Sequence, residues 1–108
     1  MIGLLMLVAS LVPSPARNFP VETRHDLTCV EAVSWADSLM KGQNSEARHN
    51  VEEVGVFYIG RLSGRDNDTD WLSIAATDLR DSRRSEADYA SELKDCSDRM
   101  YEKITPKP

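Results

Sequence analysis

The sequence predicts a small all-α protein, a four-helix up-down bundle closed by one disulfide. Apolar residues recur at steps of three and four in four separate segments, and polar turns rich in Gly, Asn, Asp and Ser divide those segments. Two cysteines, Cys29 and Cys96, fall in the first and last of the four. With 108 residues, the chain has the length of one domain.

Residues 1–16 are predicted to be a signal peptide. Residues 2–12 form an uninterrupted apolar run of secretory length, too short to span a bilayer comfortably, and small residues at Ser14 and Ala16 suit cleavage after Ala16. Since no Lys or Arg precedes the run, an uncleaved anchor and a mis-assigned start codon stay open. Cleavage would place the protein in the periplasm or outside the cell.

Residues 17–25 are polar and contain Pro20, which predicts an N-terminal arm before a single helical domain over residues 26–104. The first helix is predicted over residues 26–41 and ends at Gly42. Thr28 and Glu31 fit a capping box, with Asp26 as a competing N-cap. Its apolar face comprises Cys29, Val33, Ala36 and Met40.

The second helix is predicted over residues 45–63, with Ser45 as its N-cap and Gly64 as the left-handed residue that ends it. It is apolar nearly all round, which is typical of a buried central helix. Gly55 and Gly60 are interpreted as points of close approach by a neighbouring helix. A strand over residues 54–59 is the alternative, because that run is rich in β-formers.

The third helix is predicted over residues 70–81, capped by Thr69 or Asp70, and the fourth over residues 85–103. Ser85 and Asp88 resemble a capping box. Residues 105–108 contain two prolines, cannot continue a helix and are predicted to be a C-terminal tail.

An even number of cysteines in an oxidising compartment predicts a Cys29–Cys96 disulfide. The first and last helices of an up-down bundle are antiparallel neighbours, which is compatible with this pairing. Two buried free thiols are the alternative.

The net charge of −5 and the absence of a Lys/Arg cluster argue against nucleic acid and anionic membranes as partners. A protein partner, basic in character, is the expected one. Stable membrane insertion after signal cleavage is not expected, and the oligomeric state is open.

The sequence predicts no catalytic residue, no metal and no cofactor. Residues 66–70 begin like a calcium loop, but the EF-hand pattern then fails at Trp71 and Thr77. His25 and His49 lie on different predicted elements, so zinc binding by this pair is not expected. No nucleophile elbow, Cys-His signature or phosphate loop is present.

Arg61 and Arg65 stand at the end of the second helix. The first interpretation is structural: they bind the last helical carbonyls and the acids that follow, Asp66 and Asp68. The alternative is that Arg61, Arg65 and Asp66 contact an anionic ligand or a partner.

Residues 57–66, Phe-Tyr-Ile-Gly-Arg-Leu-Ser-Gly-Arg-Asp, resemble a block in small exported proteins of alphaproteobacteria, where it recurs between two cysteines. That group has no assigned activity, so the resemblance implies no catalytic residue. In size and single disulfide the chain is also similar to periplasmic acid-stress chaperones of the HdeA type, a likeness of architecture rather than of motif.

The expected function is that of a non-enzymatic binding or interaction module. An acidic exported domain can bind a basic protein, as inhibitors of cell-wall hydrolases do. The alternatives are a chaperone that binds clients during acid stress, an enzyme with an unrecognised site and a structural envelope protein.

Overall fold

A computed structural model describes residues 19–81 and 84–105. Four helices make up most of this part: α1 Val21–Leu39, α2 Glu46–Arg65, α3 Trp71–Asp81 and α4 Glu86–Ile104. The described residues are 81% helical and include no strand, which confirms the predicted four-helix bundle and excludes a strand over residues 54–59. The predicted signal peptide and residues 106–108 of the predicted tail lie outside the described ranges.

Three helices begin at the capping residues that the sequence offers. The Ser45 side chain accepts the backbone N–H of Arg48 in the first turn of α2, and Ser85 forms a reciprocal capping box with Asp88 at the start of α4. Asp70, rather than Thr69, caps α3, because its Oδ1 accepts an N–H of the first turn at 3.1 Å. Each cap satisfies backbone donors that have no partner within the helix.

The start of α1 was predicted too late in the chain. The helix begins at Val21, directly after Pro20, so residues 21–25 are its first turns rather than an arm. Proline suits a helix start because its φ is fixed and it lacks an N–H. In these turns the buried positions are occupied by the polar residues Thr23 and Asp26, so the sequence shows no apolar periodicity there. Thr28 therefore lies inside the helix, and its capping box with Glu31 was a wrong prediction.

The glycines divide into confirmed and corrected cases. Gly42 has a φ of +87° in the turn after α1, as expected of a stop residue. Gly64, by contrast, lies within α2, which ends one residue later. A Cβ on Gly55 would lie 2.9 Å from Cγ1 of Val33, so the predicted close approach is confirmed there. Nothing lies within 4 Å of a Cβ on Gly60, where the same prediction was wrong.

The central helix of the bundle is α1, not α2 as predicted. In α1 nine residues are buried, whereas in α2 only four are. Helix α1 also packs on all three other helices. Arg61 of α2 contacts Asp26 near the start of α1, and Gly55 lies against Val33 further along, so the two helices are antiparallel. Beyond this contact the surface of α2 is open, with Val56 73% exposed.

The predicted disulfide joins α1 to α4. Cys29 and Cys96 are bonded, with their Cα atoms 5.7 Å apart, so the free-thiol alternative is wrong. Trp35, further along α1, stacks on Tyr89 near the start of α4 at 5.6 Å between ring centroids, so these helices are also antiparallel. Tyr58 of α2 donates a hydrogen bond to the carbonyl of Cys96 at 2.7 Å, which links α2 to the contact between α1 and α4.

The core between these helices is built from medium-sized and small side chains: Leu27, Val30, Val33, Ala36, Val51, Val54, Leu62, Ala75 and Met100. Trp71 closes it at the α3 end and contacts Phe19 at 5.2 Å. Among the helices of the described ranges, none has the length and apolar content needed to cross a bilayer.

Candidate functional site

The two arginines predicted as a site hold a buried carboxylate. Arg61 Nε lies 3.2 Å from Oδ2 of Asp26, and Arg65 Nη1 contacts the same oxygen. Asp26 is buried on α1, and the arginines stand one turn apart on α2. Their carboxylate partner therefore comes from a distant segment, and the predicted pairing with Asp66 and Asp68 was wrong.

Asp66, the third predicted residue, belongs to a different local structure. Its side chain accepts the hydroxyl of Thr69 at 2.6 Å and the N–H of Asp68 at 2.9 Å. These bonds, led by that from Thr69, lower the pKa of Asp66. Its carbonyl accepts the indole N–H of Trp71 at 2.8 Å. Asp66 thus shapes the α2–α3 loop.

His25 lies beside the disulfide, an arrangement that sequence reasoning missed. Its Nε2 is 3.8 Å from Cys29 Sγ and 3.8 Å from Oδ2 of Asp95 on α4. Its Nδ1 is 3.6 Å from Oδ1 of Asp26, a buried oxygen without a hydrogen-bond partner. The sequence did contain a signal for this contact, because His25 and Cys29 are four residues apart and so lie on one face of a helix. Since Cys29 was assigned to the disulfide, it was not considered as a neighbour of His25.

A second buried acid, Glu31, lies deeper along α1. Arg84, just before α4, contacts Glu31 Oε1 and also donates to Glu92 Oε2 at 2.7 Å. Burial, followed by the hydrogen bond and charge of Asp78 on α3, raises the pKa of Glu31 to about 8. Two carboxyls, those of Glu31 and Glu92, thus share the Arg84 guanidinium, and Asp78 lies beside Glu31. No pattern in the sequence pointed to this cluster, because Glu31 was interpreted as a capping residue.

An apolar groove of about 580 Å³ runs between α1 and α2. Two large apolar side chains at its surface are mostly exposed: Val56 at 73% and Leu72, from α3, at 62%. Gly60 on α2 leaves part of it without side chains. The remaining apolar lining comes from Val30, Val33 and Ile59, and the polar lining from Ser34, Asp37 and Glu52.

The groove has an acidic edge. Arg48 lies between two of the carboxylates, with its Nε 3.1 Å from Asp37 and 3.3 Å from Glu52. A smaller depression of about 350 Å³ adjoins the groove at Val56 and Glu52 and adds the exposed Glu53. Sequence reasoning assigned Val56 to the buried surface of α2 and therefore missed this feature.

Comparison of the chain with protein-family models, with curated proteins and with solved structures gave no match. The likeness of residues 57–66 to the alphaproteobacterial block, and the architectural likeness to HdeA-type chaperones, therefore stay predictions. What the protein does has to be inferred from its own surfaces and buried groups.

Proposed function

We propose that this chain is a non-enzymatic protein-binding module that holds a basic, amphipathic segment of a partner protein in the groove between α1 and α2. The observation that carries the proposal is the exposure of Val56 and Leu72, which both line one apolar groove. Contiguous exposed apolar surface with a polar rim marks interaction sites in small proteins.

The shape of the groove suits a helical segment. Two helices form its walls, and Gly60 leaves room for the backbone or a side chain of the partner to come close. Recognition of an amphipathic helix in an apolar groove uses anchors spaced three or four residues apart. Val56 and Leu72 provide apolar contact at the outer edge of such a groove.

The charge of the rim selects a basic partner. Asp37, Glu52 and Glu53 stand along the groove and the depression beside it, against one nearby arginine, Arg48. The whole chain carries a net charge of −5. Complementary charge accelerates encounter and disfavours acidic competitors. The proposal places the encounter in the periplasm or outside the cell, which the Cys29–Cys96 disulfide and the predicted signal peptide support.

The test measures binding of two labelled synthetic helices by fluorescence anisotropy, one with Leu and Lys and the other with Leu and Glu at the same positions. We expect micromolar binding of the Lys peptide, weakened by added salt, and much weaker binding of the Glu peptide. Equal binding of both peptides, or none of either, would overturn the proposal.

The chain offers a matched pair of variants. Val56→Lys places a charge in the groove, whereas Val21→Lys makes the same change at a valine that is 70% exposed at the start of α1, outside the groove. Since full burial of a valine is worth roughly 1.5 kcal/mol or more, we expect Val56→Lys to weaken binding at least about tenfold. An equal loss in both variants would contradict the assignment of the groove. Sedimentation of the free chain as a dimer that Val56→Lys abolishes would replace the basic partner with a second copy.

A further inference from the structure

The contact between α1 and α4 brings together more than the disulfide. Nε2 of His25 and the two sulfurs of Cys29 and Cys96 all lie within 4.8 Å of one another. Oδ2 of Asp95, the residue before Cys96, lies 3.8 Å from the same nitrogen and now pairs with Arg99 at 3.1 Å. Two sulfurs, an imidazole and a carboxylate are ligand types that zinc binds in tetrahedral sites.

We propose that reduction of the Cys29–Cys96 disulfide converts this contact into a zinc site, with Cys29, Cys96 and His25 as three ligands already gathered and Asp95, once its exposed carboxylate leaves Arg99 and rotates toward them, as the fourth. The disulfide and the metal are then two alternative links between the same helices. The zinc site is independent of the groove, which lies on another face of α1.

The geometry is close to what zinc requires. In a tetrahedral site with Zn–S near 2.3 Å and Zn–N near 2.0 Å, a sulfur and a nitrogen ligand are about 3.5 Å apart. Nε2 of His25 and Sγ of Cys29 are 3.8 Å apart. The Cα atoms of the two cysteines are 5.7 Å apart, so rotations of the freed side chains can separate the sulfurs by the required amount of about 3.8 Å.

The surroundings of His25 add an independent observation. Metal-binding histidines almost always donate their second ring N–H to a carboxylate or a carbonyl, which fixes the tautomer. Here Oδ1 of Asp26 is buried, has no hydrogen-bond partner and lies 3.6 Å from Nδ1 of His25. A small ring rotation makes this hydrogen bond and leaves Nε2 free for the metal. Asp26 is itself held by Arg61 and Arg65.

The ion can reach the site from solvent. The cysteines are buried, but His25 is partly exposed and Asp95 is exposed, so the ligand set opens at the surface of the α1–α4 contact. Tyr58 fixes the carbonyl of Cys96 by a hydrogen bond at 2.7 Å and places its ring edge toward His25 at 6.1 Å. The bundle therefore positions ligands from both helices without the metal.

The chemistry balances with a thiol reductant as co-reactant. A dithiol transfers two electrons and two protons to the Cys29–Cys96 bond, gives two thiols on the chain and is itself oxidised to a disulfide. Zn²⁺ then displaces the two thiol protons, which pass to solvent, and binds both thiolates. In the reverse direction a disulfide oxidant accepts two electrons from the two thiolates, takes up two protons from solvent and becomes a dithiol, which releases Zn²⁺ and restores the Cys29–Cys96 bond.

The test uses the full chain, reduced under argon with a phosphine that is then removed, and Co²⁺ as a spectroscopic probe. We expect one Co²⁺ per reduced chain, with the intense visible bands of tetrahedral cobalt and a thiolate charge-transfer band. Added Zn²⁺ should bleach both. The oxidised chain should give neither band. Absence of tetrahedral bands from the reduced chain would overturn the proposal.

Two histidine variants separate the site from non-specific thiol binding. His25→Gln should weaken Zn²⁺ binding by at least about tenfold, whereas His49→Gln, at an exposed histidine on α2, should bind as the unaltered chain does. Identical titrations of the two variants would exclude His25 as a ligand. Loss of the disulfide can also unfold the reduced chain. Circular dichroism must then show that Zn²⁺ restores helix content, and failure to do so would equally overturn the proposal.

Discussion

The sharpest prediction of the structure concerns Glu31, a carboxyl group that the fold keeps protonated. Burial first, and then Asp78, raises its pKa from 4.5 to about 8. The native state therefore binds this proton more tightly than the unfolded chain does. The stability linked to the proton is fully present below pH 4.5 and is lost as the pH rises through 8. Glu31→Gln removes the titration and keeps a neutral side chain of similar shape.

The magnitude follows from the two pKa values. Between them, each pH unit changes the free energy of unfolding by about 1.4 kcal/mol per group. From pH 5 to pH 7, Glu31 should thus destabilise the unaltered chain by about 3 kcal/mol, while the glutamine of the variant contributes no such slope. The variant should gain about 3 kcal/mol relative to the unaltered chain over this interval.

Urea unfolding followed by far-ultraviolet circular dichroism at pH 5, 6, 7 and 8 measures this difference. All other ionisable groups are the same in the variant and its parent, so their contributions cancel in the difference. Glu22→Gln is the control, because Glu22 stands on the same helix with its side chain 84% exposed. Parallel pH profiles for Glu31→Gln and its parent would refute the reasoning and would mean that Arg84 keeps Glu31 ionised in the native state.

The same measurement bears on the acid-stress alternative. A chaperone that opens on acidification should expose apolar surface as the pH falls. Glu31 has the opposite effect, because its protonation at lower pH stabilises the folded state. Protonation removes the penalty of a buried charge where α1 meets α3. Dye binding that rises between pH 7 and pH 5 in the unaltered chain would favour the chaperone.

Four further variants test the packing by urea unfolding. Replacing Cys29 and Cys96 by Ser should lower the free energy of unfolding by about 4 kcal/mol, because the disulfide closes a loop with a sequence separation of 67; an unchanged midpoint would contradict this. Gly55→Ala should destabilise by about 1–3 kcal/mol through overpacking on a stiff valine, whereas Gly60→Ala, in open space, should stabilise by up to about 1 kcal/mol; equal effects would rule out the close approach. Asp26→Asn should destabilise by roughly 2–3 kcal/mol, less than for a fully buried pair because both arginines are partly exposed; no loss would mean that they pair elsewhere.

Local signals in the sequence were sufficient for most helix boundaries. Ser45 and Ser85 cap the helices that they were expected to cap. Gly42 has a positive φ in the turn after α1, although the helix ends at Leu39 and not at residue 41 as predicted. These features depend on residues within one turn of each other. The first turns of α1 were missed because buried Thr23 and Asp26 break the apolar pattern, and only contacts with other helices explain their burial.

The surroundings of the site residues could not be predicted for the same physical reason. The charge of Arg61 and Arg65 was recognised, but Asp26 is 35 residues away from Arg61, and local spacing does not determine long-range pairs. Val56, by contrast, was predicted to be buried and is exposed. An apolar run wider than one face predicted burial all round, whereas the short α3 leaves that face of α2 uncovered.

Both buried acids lie on the central helix, and each is paired with arginine from another segment: Asp26 with α2, and Glu31 with the residue just before α4. Burying the Asp26 carboxylate with its two arginines costs desolvation energy that their attraction need not recover. We infer that this Asp26 pair fixes the register of α2 against α1. The core of α1 is made largely of valine and alanine, which resemble one another in size, and a shift of α2 by one turn would keep apolar contacts while leaving Asp26 without its counter-charges.

The contacts of Asp26 with Arg61 and Arg65 thereby help to place Val56 at the groove. We predict that a triple variant, Asp26→Leu with Arg61→Met and Arg65→Met, stays folded and nearly as stable but packs less uniquely. Its amide resonances along α2 should broaden or double in NMR spectra, and its affinity for the Lys peptide should fall because Val56 no longer occupies one position. Sharp single resonances and unchanged affinity would show that apolar packing alone sets the register. Asp26 would then be retained for another reason, such as its contact with His25 beside the disulfide.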